Sequence, residues 1–275
     1  MSADFSHLIP PLRRARGYRL YDCQGRRYLD LWQVGGRALL GHRSFGLTRL
    51  LKDVISRGLL ADLPSLYGGR LERALSGLLP GFSQVRIASS LPAALDLAAR
   101  HLGREVREEE ISDPALEEAE GGNAAEVAFW RPLLEQKGAS GPAPRVLLPV
   151  LPFAASGAPV AVCFGASLPA DFPPSEPVSP VLLAGAARCL YDLKRYRLPE
   201  WYGEDLLRGA EGWSQRGIYL RARCAAERYG KLFEAFLQGG VLLNPRWPGP
   251  SILPAEASAG EVAKMIQLFR ENPGE

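Results

Sequence analysis

The chain has few of the residues from which metal sites, disulfide frameworks and lysine-based active sites are built. Its 275 residues include only three histidines, four cysteines and five lysines. The cysteines are far apart, and none has a second cysteine or a histidine at metal-ligand spacing: Cys23, Cys163, Cys189 and Cys224. This spacing supports neither a zinc site nor a disulfide framework, so we predict a reduced, cytoplasmic protein without a metal.

The chain also lacks an excess of charge of either sign. Its net charge is +3, with 33 basic and 30 acidic residues distributed along the sequence. Nucleic-acid-binding proteins usually carry a basic patch or stripe, so we predict no nucleic-acid partner. Arg13, Arg14 and Arg16 near the N-terminus are not followed by an apolar stretch, which argues against a signal peptide and again favours the cytoplasm.

Charged residues are missing altogether from one run, residues 146–170, which is long enough to cross a bilayer. Four prolines would interrupt a spanning helix there, namely Pro149, Pro152, Pro159 and Pro169. Two short strands over 146–151 and 160–164 explain the run better, because strands covered on both faces of a parallel sheet are continuously apolar. We therefore predict two strands of a parallel sheet and no membrane partner.

Strand and helix patterns alternate along the rest of the chain. Apolar residues recur at helical spacing in residues 47–60, 93–102 and 225–237, whereas residues 84–87 and 240–243 have the composition of strands. This alternation predicts an α/β fold.

The N-terminal segment carries a motif that is more specific than these patterns. The turn Asp22-x-x-Gly25 by itself predicts only a β-hairpin. Together with Arg27-Tyr28-Leu29-Asp30 and Gly41-His42, in this order and spacing, it resembles the entry to the class III aminotransferases, the family of glutamate-1-semialdehyde aminomutase and ornithine aminotransferase. At the other end, residues 229–243 and Ser258-x-x-Glu261-Val262 are similar to the helix, strand and closing helix that end this family's small domain.

The resemblance implies a fold and an assembly. It implies a fold type I pyridoxal-phosphate (PLP) transferase-like architecture: a reduced large domain with a mainly parallel sheet, followed by a small α+β domain. We assign residues 46–200 to the large domain and 201–275 to the small one. Residues 1–45 then contribute to the small domain and to dimer contacts, and the chain pairs with a second copy or with an active relative.

The same resemblance places the cofactor's phosphate at the turn Ser89-Ser90-Leu91-Pro92, where the family carries Ser-Gly-Thr-Glu. Anion binding at such a turn needs free backbone N–H groups and a close approach of the backbone. Here a glycine is replaced by Ser90, and Pro92 has no N–H. A family threonine that reaches the phosphate of the neighbouring subunit corresponds to Ser175. Ser89, Ser90 and Ser175 are therefore candidates for a vestigial phosphate site, although these losses favour an ordinary serine cap as the explanation of the turn.

The family's catalytic lysine has no counterpart in this sequence. Ser156-Gly-Ala-Pro-Val-Ala161 resembles the family's Gly-Gly-x-Pro-x-Gly turn, and counting back from it places the Schiff-base lysine at Pro152. No lysine occurs between Lys137 and Lys194. The acid that pairs with the cofactor's pyridine nitrogen is also missing, and Glu126 is its nearest candidate. We predict no catalytic residue.

Three hypotheses remain open from the sequence. The leading one is a shortened, catalytically inactive class III aminotransferase-like protein that needs no cofactor and binds a partner or a small anion. The alternative is a PLP-dependent transaminase or aminomutase with a rearranged site that uses Lys194. The third is a decayed gene product without a partner.

Overall fold

A computed structural model of the chain describes residues 3–116, 125–134, 143–198, 202 and 204–272. The chain divides into two compact units. The terminal unit comprises Met1–Arg43 and Tyr196–Glu275, and the central unit comprises Ser44–Arg195.

Within the described residues the chain forms six α-helices and thirteen strands. The helices are α1 (Leu47–Ser56), α2 (Leu66–Ser76), α3 (Leu91–Leu102), α4 (Pro180–Leu193), α5 (Ala226–Gln238) and α6 (Ala259–Glu271). The strands are β1 (Ala3–Asp4), β2 (Leu12–Arg16), β3 (Arg19–Asp22), β4 (Arg27–Asp30), β5 (Gln84–Ala88), β6 (Val127–Trp130), β7 (Val146–Pro149), β8 (Val160–Phe164), β9 (Trp213–Arg216), β10 (Tyr219–Ala222), β11 (Val241–Leu242), β12 (Arg246–Trp247) and β13 (Ser251–Ile252).

The terminal unit is built around a four-stranded sheet in the order β11-β4-β3-β2. β3 and β4 form the hairpin predicted from Asp22 and Gly25. Gly25 has a φ of +87°, which favours glycine, and the Asp22 carboxylate accepts the N–H groups of Gln24 and Arg26 inside the turn. β11 joins the sheet parallel to β4, so the two ends of the chain share one sheet.

Aromatic side chains fill much of the core of this unit. Trp213, Phe236 and Phe269 form a cluster with ring centroids 4.8 to 5.7 Å apart. Phe236 and Phe269 come from α5 and α6, whose apolar residues recur at helical spacing. α6 begins with a capping box, in which Ser258 and Glu261 each accept a backbone N–H of the other residue.

The central unit contains a second four-stranded sheet, in the order β5-β8-β7-β6. β7 and β8 are buried almost throughout, which confirms the prediction of two covered strands within residues 146–170. α3 packs on this sheet through small and apolar residues, including Ala94, Leu97 and Ala98, in one core with Val146 and Val162.

The prediction that this sheet is mainly parallel is wrong. β8 runs antiparallel to both β5 and β7, and only β6 and β7 are parallel. A parallel pair needs a crossover of about a dozen residues or more, usually with a helix, whereas residues 150–159 connect β7 to β8 without one. The continuous apolar runs show that both faces are covered, and they carry no information about strand direction.

No helix among the described residues combines the length and the apolar character that a bilayer crossing requires.

Candidate functional site

One edge of the central sheet brings together the positions for which the sequence resemblance implied chemistry. β5 ends at Ala88, which lies opposite Val160 at the start of β8. Because β7 is antiparallel to β8, its last residue, Pro149, lies toward the same edge, and Trp130 at the end of β6 pairs with Pro149. The turn after β5, the segment after β7 and the end of β6 therefore open on a common edge.

The turn after β5 is an ordinary helix cap, in which the amides of Ser89 and Ala93 are hydrogen-bonded within the chain. Ser90 caps α3, with its Oγ accepting the N–H of Ala93 at 3.3 Å. The N–H of Ser89 donates to Glu176 Oε2 at 2.7 Å, and this hydrogen bond lowers the pKa of Glu176. Pro92 offers no N–H at all. The cap interpretation of the sequence is confirmed at Ser90.

Ser175 lies beside this turn and is bonded within its own chain. Its Oγ accepts the N–H of Ile87 at 3.0 Å and donates to Glu72 Oε1 at 3.2 Å. The next residue, Glu176, donates its N–H to the carbonyl of Ile87 at 2.8 Å. The structure thus brings Ser89, Ser90 and Ser175 together around the end of β5, although they are distant in sequence.

The segment after β7 presents apolar groups where the resemblance places a lysine. Pro152 is buried, and Phe153 packs against α4 at Gly185, where an added Cβ would overlap with the phenyl ring. Lys52 and Lys194 of this unit are exposed, and Lys194 follows the last residue of α4 with its Nζ 6.0 Å from the Tyr191 ring centroid. Lys137 lies outside the described residues.

The end of β6 carries a cation. Arg131 follows Trp130 and forms a bidentate pair with Asp113, with Nε–Oδ1 at 3.0 Å and Nη2–Oδ2 at 2.5 Å. Glu126 is the sequence's nearest candidate for the acid that pairs with the pyridine nitrogen. It lies before the first residue of β6 and therefore toward the opposite edge of the sheet. There it accepts hydrogen bonds from Arg104 and Arg145, and the bond from Arg104 is the main cause of its lowered pKa.

These observations decide whether PLP fits the described residues of this edge. The cofactor needs an amine for its aldehyde and free amides for its phosphate, and the resemblance adds an acid for its pyridine nitrogen. The edge offers Pro152 in place of the amine, an amide already bonded to Glu176 in the turn, and Arg131 after β6. The described residues of this edge thus lack the amine that would tether PLP, and the turn offers fewer free amides to its phosphate.

The terminal unit has a polar cluster that the sequence patterns did not reveal. Asp30 is fully buried; its Oδ2 lies 2.7 Å from His42 Nε2, and its Oδ1 accepts the N–H groups of Trp32 and Gln33. Gln33 and Val34 have φ values of 47° and 51°, in the left-handed region that β-branched residues rarely adopt. A hydrogen bond between Asp30 and His42 thus joins the two sides of a strained turn.

Known structures give the fold a class. The chain superposes on an omega-transaminase from Sphaerobacter thermophilus with a TM-score of 0.68 and 14% identity, covering 95% of this chain and 90% of that one. It superposes on the ornithine aminotransferase of Plasmodium yoelii with a TM-score of 0.67 and 15% identity, covering 97% and 95%. The fold is that of the PLP-dependent aminotransferases, and the scaffold is class III aminotransferase-like.

Sequence comparison gives further relatives. The chain is 27% identical over 292 residues to an uncharacterized protein of Treponema pallidum, covering 88% of each chain. It is 51% identical over 59 residues to an uncharacterized protein of Borreliella burgdorferi, covering 22% of each. It is also 32% identical over 98 residues to glutamate-1-semialdehyde 2,1-aminomutase of Herminiimonas arsenicoxydans, covering 34% of this chain and 23% of that protein. No protein-family model matches the chain.

Proposed function

We propose that this protein is a catalytically inactive class III aminotransferase-like protein that has kept the scaffold and acts by binding a partner. The observation that carries the proposal is the buried, apolar segment around Pro152, where the sequence resemblance places the Schiff-base lysine. The loss of the chemistry motifs in the middle of the chain is part of the same proposal.

The chemistry of transamination supports the first half of the proposal. An enzyme of this kind needs an amine that forms an imine with the cofactor and then moves a proton between substrate and cofactor. The nitrogen of Pro152 is part of a peptide bond and is neither nucleophilic nor basic. A lysine elsewhere would have to reach the same edge of the sheet.

Lys194, which the alternative hypothesis requires, is badly placed for that task. It follows the last residue of α4, whose first residue, Pro180, comes four positions after Glu176. With a rise of 1.5 Å per residue, the ends of this 14-residue helix are about 20 Å apart. Residues 175–176, which contact β5, therefore precede one end of α4, and Lys194 follows the other end.

The second half of the proposal is supported by exposed apolar side chains. Phe45 is 92% exposed, and Ile55, Leu60, Leu63 and Leu66 are 47 to 57% exposed, all within residues 45–66 of the central unit. Soluble monomers rarely expose large apolar patches. We call residues 45–66 the apolar segment and propose that a second copy of the chain, or an active relative, covers it.

The absence of imine chemistry is tested directly. The purified full chain, incubated with PLP, is expected to show no aldimine absorbance band before reduction, and no preferred lysine adduct by mass spectrometry after reduction with borohydride. Lys194→Ala is the matched variant. An adduct concentrated on Lys194 and lost in this variant would establish the rearranged enzyme instead.

A further inference from the structure

The carboxylate of Glu176 occupies the turn before α3. Its Oε2 accepts the N–H of Ser89 at 2.7 Å, one residue before the helix cap, Ser90. The backbone of Glu176 is fixed in turn, because its own N–H donates to the carbonyl of Ile87 at 2.8 Å. The main chain of Glu176 is thus held next to β5, from where its side chain reaches the N–H of Ser89.

A second carboxylate lies on the other side of the same segment. Glu72 Oε1 accepts the hydroxyl of Ser175 at 3.2 Å, and that hydroxyl accepts the N–H of Ile87 at 3.0 Å. The guanidinium of Arg86, on the neighbouring position of β5, donates to the carbonyl of Pro173 at 2.8 Å. The cation of this network, Arg86, is therefore bonded to a neutral carbonyl. The two carboxylates, Glu72 and Glu176, are bonded to Ser175 and Ser89.

The electrostatics of the turn follow from this arrangement. The first turn of a helix favours an anion, and an intramolecular carboxylate satisfies that preference without a ligand. A phosphate monoester carries a charge of about −2 at neutral pH. It would have to displace Glu176 from Ser89 and then lie close to both carboxylates, with Pro92 unable to donate to it.

We propose that Glu176 is a built-in anion, which fills the turn before α3 and excludes phosphate-bearing small molecules from it. On this proposal, the turn that corresponds to the family's phosphate site is filled by a carboxylate of the same chain. The change is then more than the loss of phosphate-binding residues. This inference does not rest on the proposed loss of imine chemistry, since it concerns the phosphate turn alone.

The test uses the full chain and pyridoxine 5′-phosphate, which has a phosphate but no aldehyde and therefore forms no imine with any lysine. Calorimetry and phosphorus NMR are expected to show that Glu176→Gln binds this probe about ten-fold more tightly than the unmodified chain, because one opposing charge has been removed from the turn. Asp96→Asn is the matched control. It removes an exposed acid from α3 itself that has no bond to the turn, and it is expected to change affinity by less than about two-fold.

A second measurement covers the case in which Glu176→Gln does not fold. In the unmodified chain, the amide proton shift of Ser89 is expected to follow the protonation of a carboxyl group as the pH is lowered, while the amide of Ala93, bonded to Ser90, does not. Binding by the unmodified chain as tight as that of Glu176→Gln would overturn the proposal. So would a Ser89 amide that is insensitive to acid.

Discussion

Arg131 and Asp113 form an ion pair in which both side chains are almost fully buried, at 8% and 10% exposure. Two parallel hydrogen bonds hold the guanidinium against the carboxylate, and Asp113 also accepts the N–H of Ala115. A pair of this kind fixes local structure because neither charge can be left alone in the protein interior. The pair also fixes a cation, Arg131, directly after the end of β6.

Removing one member of this pair is expected to destabilise the protein strongly. Asp113→Ala removes the buried carboxylate that accepts two hydrogen bonds from Arg131, and we expect a loss of about 3–5 kcal/mol in the free energy of unfolding, measured by urea titration. The control is Asp53→Ala, which removes an exposed partner of Arg57 and should cost no more than about 1 kcal/mol. Equal losses in the two variants would contradict the role assigned to burial.

Glu261 gives a residue-scale prediction about pH. Hydrogen bonding from Arg19 lowers the pKa of Glu261 to about 2, from an ordinary value of 4.5. A carboxyl group with a lowered pKa stabilises the folded state above its unfolded pKa, and that stabilisation is lost as the pH falls from 4.5 toward 2.

Glu261→Gln should therefore lower the melting temperature at neutral pH and flatten its dependence on pH across the acidic range. Glu256→Gln is the matched control, because Glu256 also contacts Arg19 but is 75% exposed, so its effect should be smaller. Thermal unfolding followed by circular dichroism at several pH values measures both. A pH profile unchanged by Glu261→Gln would show that Arg19 and Glu261 are not coupled.

Single residues also show where sequence reasoning stops. The cap at Ser90 could be predicted from a local motif, because a serine before a helix start is visible within a few positions. The bond between Ser89 and Glu176 was not found, since it joins residues 87 positions apart that come together only when the chain folds. The hydrogen bond between Asp30 and His42 was not predicted for a related reason: both residues belong to the N-terminal motif, but the motif gives their order along the chain and not their contact.

At the scale of the element, the packing of α4 against Phe153 depends on a glycine. Gly185 lies where the Phe153 ring approaches the helix so closely that a Cβ would overlap with it. Gly185→Ala should therefore destabilise the protein by about 1–3 kcal/mol, although alanine is the better helix former.

Gly69→Ala in α2 is the control for Gly185→Ala, because no atom lies within 4 Å of a Cβ at Gly69. It should stabilise the protein by up to about 1 kcal/mol, through helix propensity alone. Combining Gly185→Ala with Phe153→Leu should recover part of the loss in a urea titration. If Gly185→Ala were as stable as Gly69→Ala, the close packing of Phe153 would be disproved.

Elements were predicted better than their pairing. The β3–β4 hairpin, the capping box of α6 and the strands of the uncharged run could be read from turn residues, cap residues and apolar spacing, which are local signals. Strand direction in the central sheet could not, because β7 and β8 have the same apolar composition whichever way they run. The length of the connection 150–159 was the usable signal, and it favours an antiparallel pair.

At the scale of the whole molecule, the apolar segment 45–66 predicts self-association. We expect the chain to sediment as a dimer in analytical ultracentrifugation, and Phe45→Asp combined with Leu63→Asp to shift it toward monomer by placing charges in the covered surface. Leu198→Asp is the control, since Leu198 is 56% exposed but lies in the terminal unit.

A chain that is monomeric at every concentration would contradict pairing with a second copy, as would dissociation by Leu198→Asp alone. Circular dichroism spectra of the variants would establish that the substitutions act on assembly and leave folding intact.

Both outer strands of the central sheet are partly bonded to other segments of the chain. Residues 175–176 hydrogen-bond to the outer side of β5, and Ser112 forms a parallel bridge with Ala128 on the outer side of β6. Unpaired edge strands are the usual template for fibril growth and for runaway polymerisation. Because the chain itself bonds part of each outer strand, this sheet should resist amyloid-like stacking.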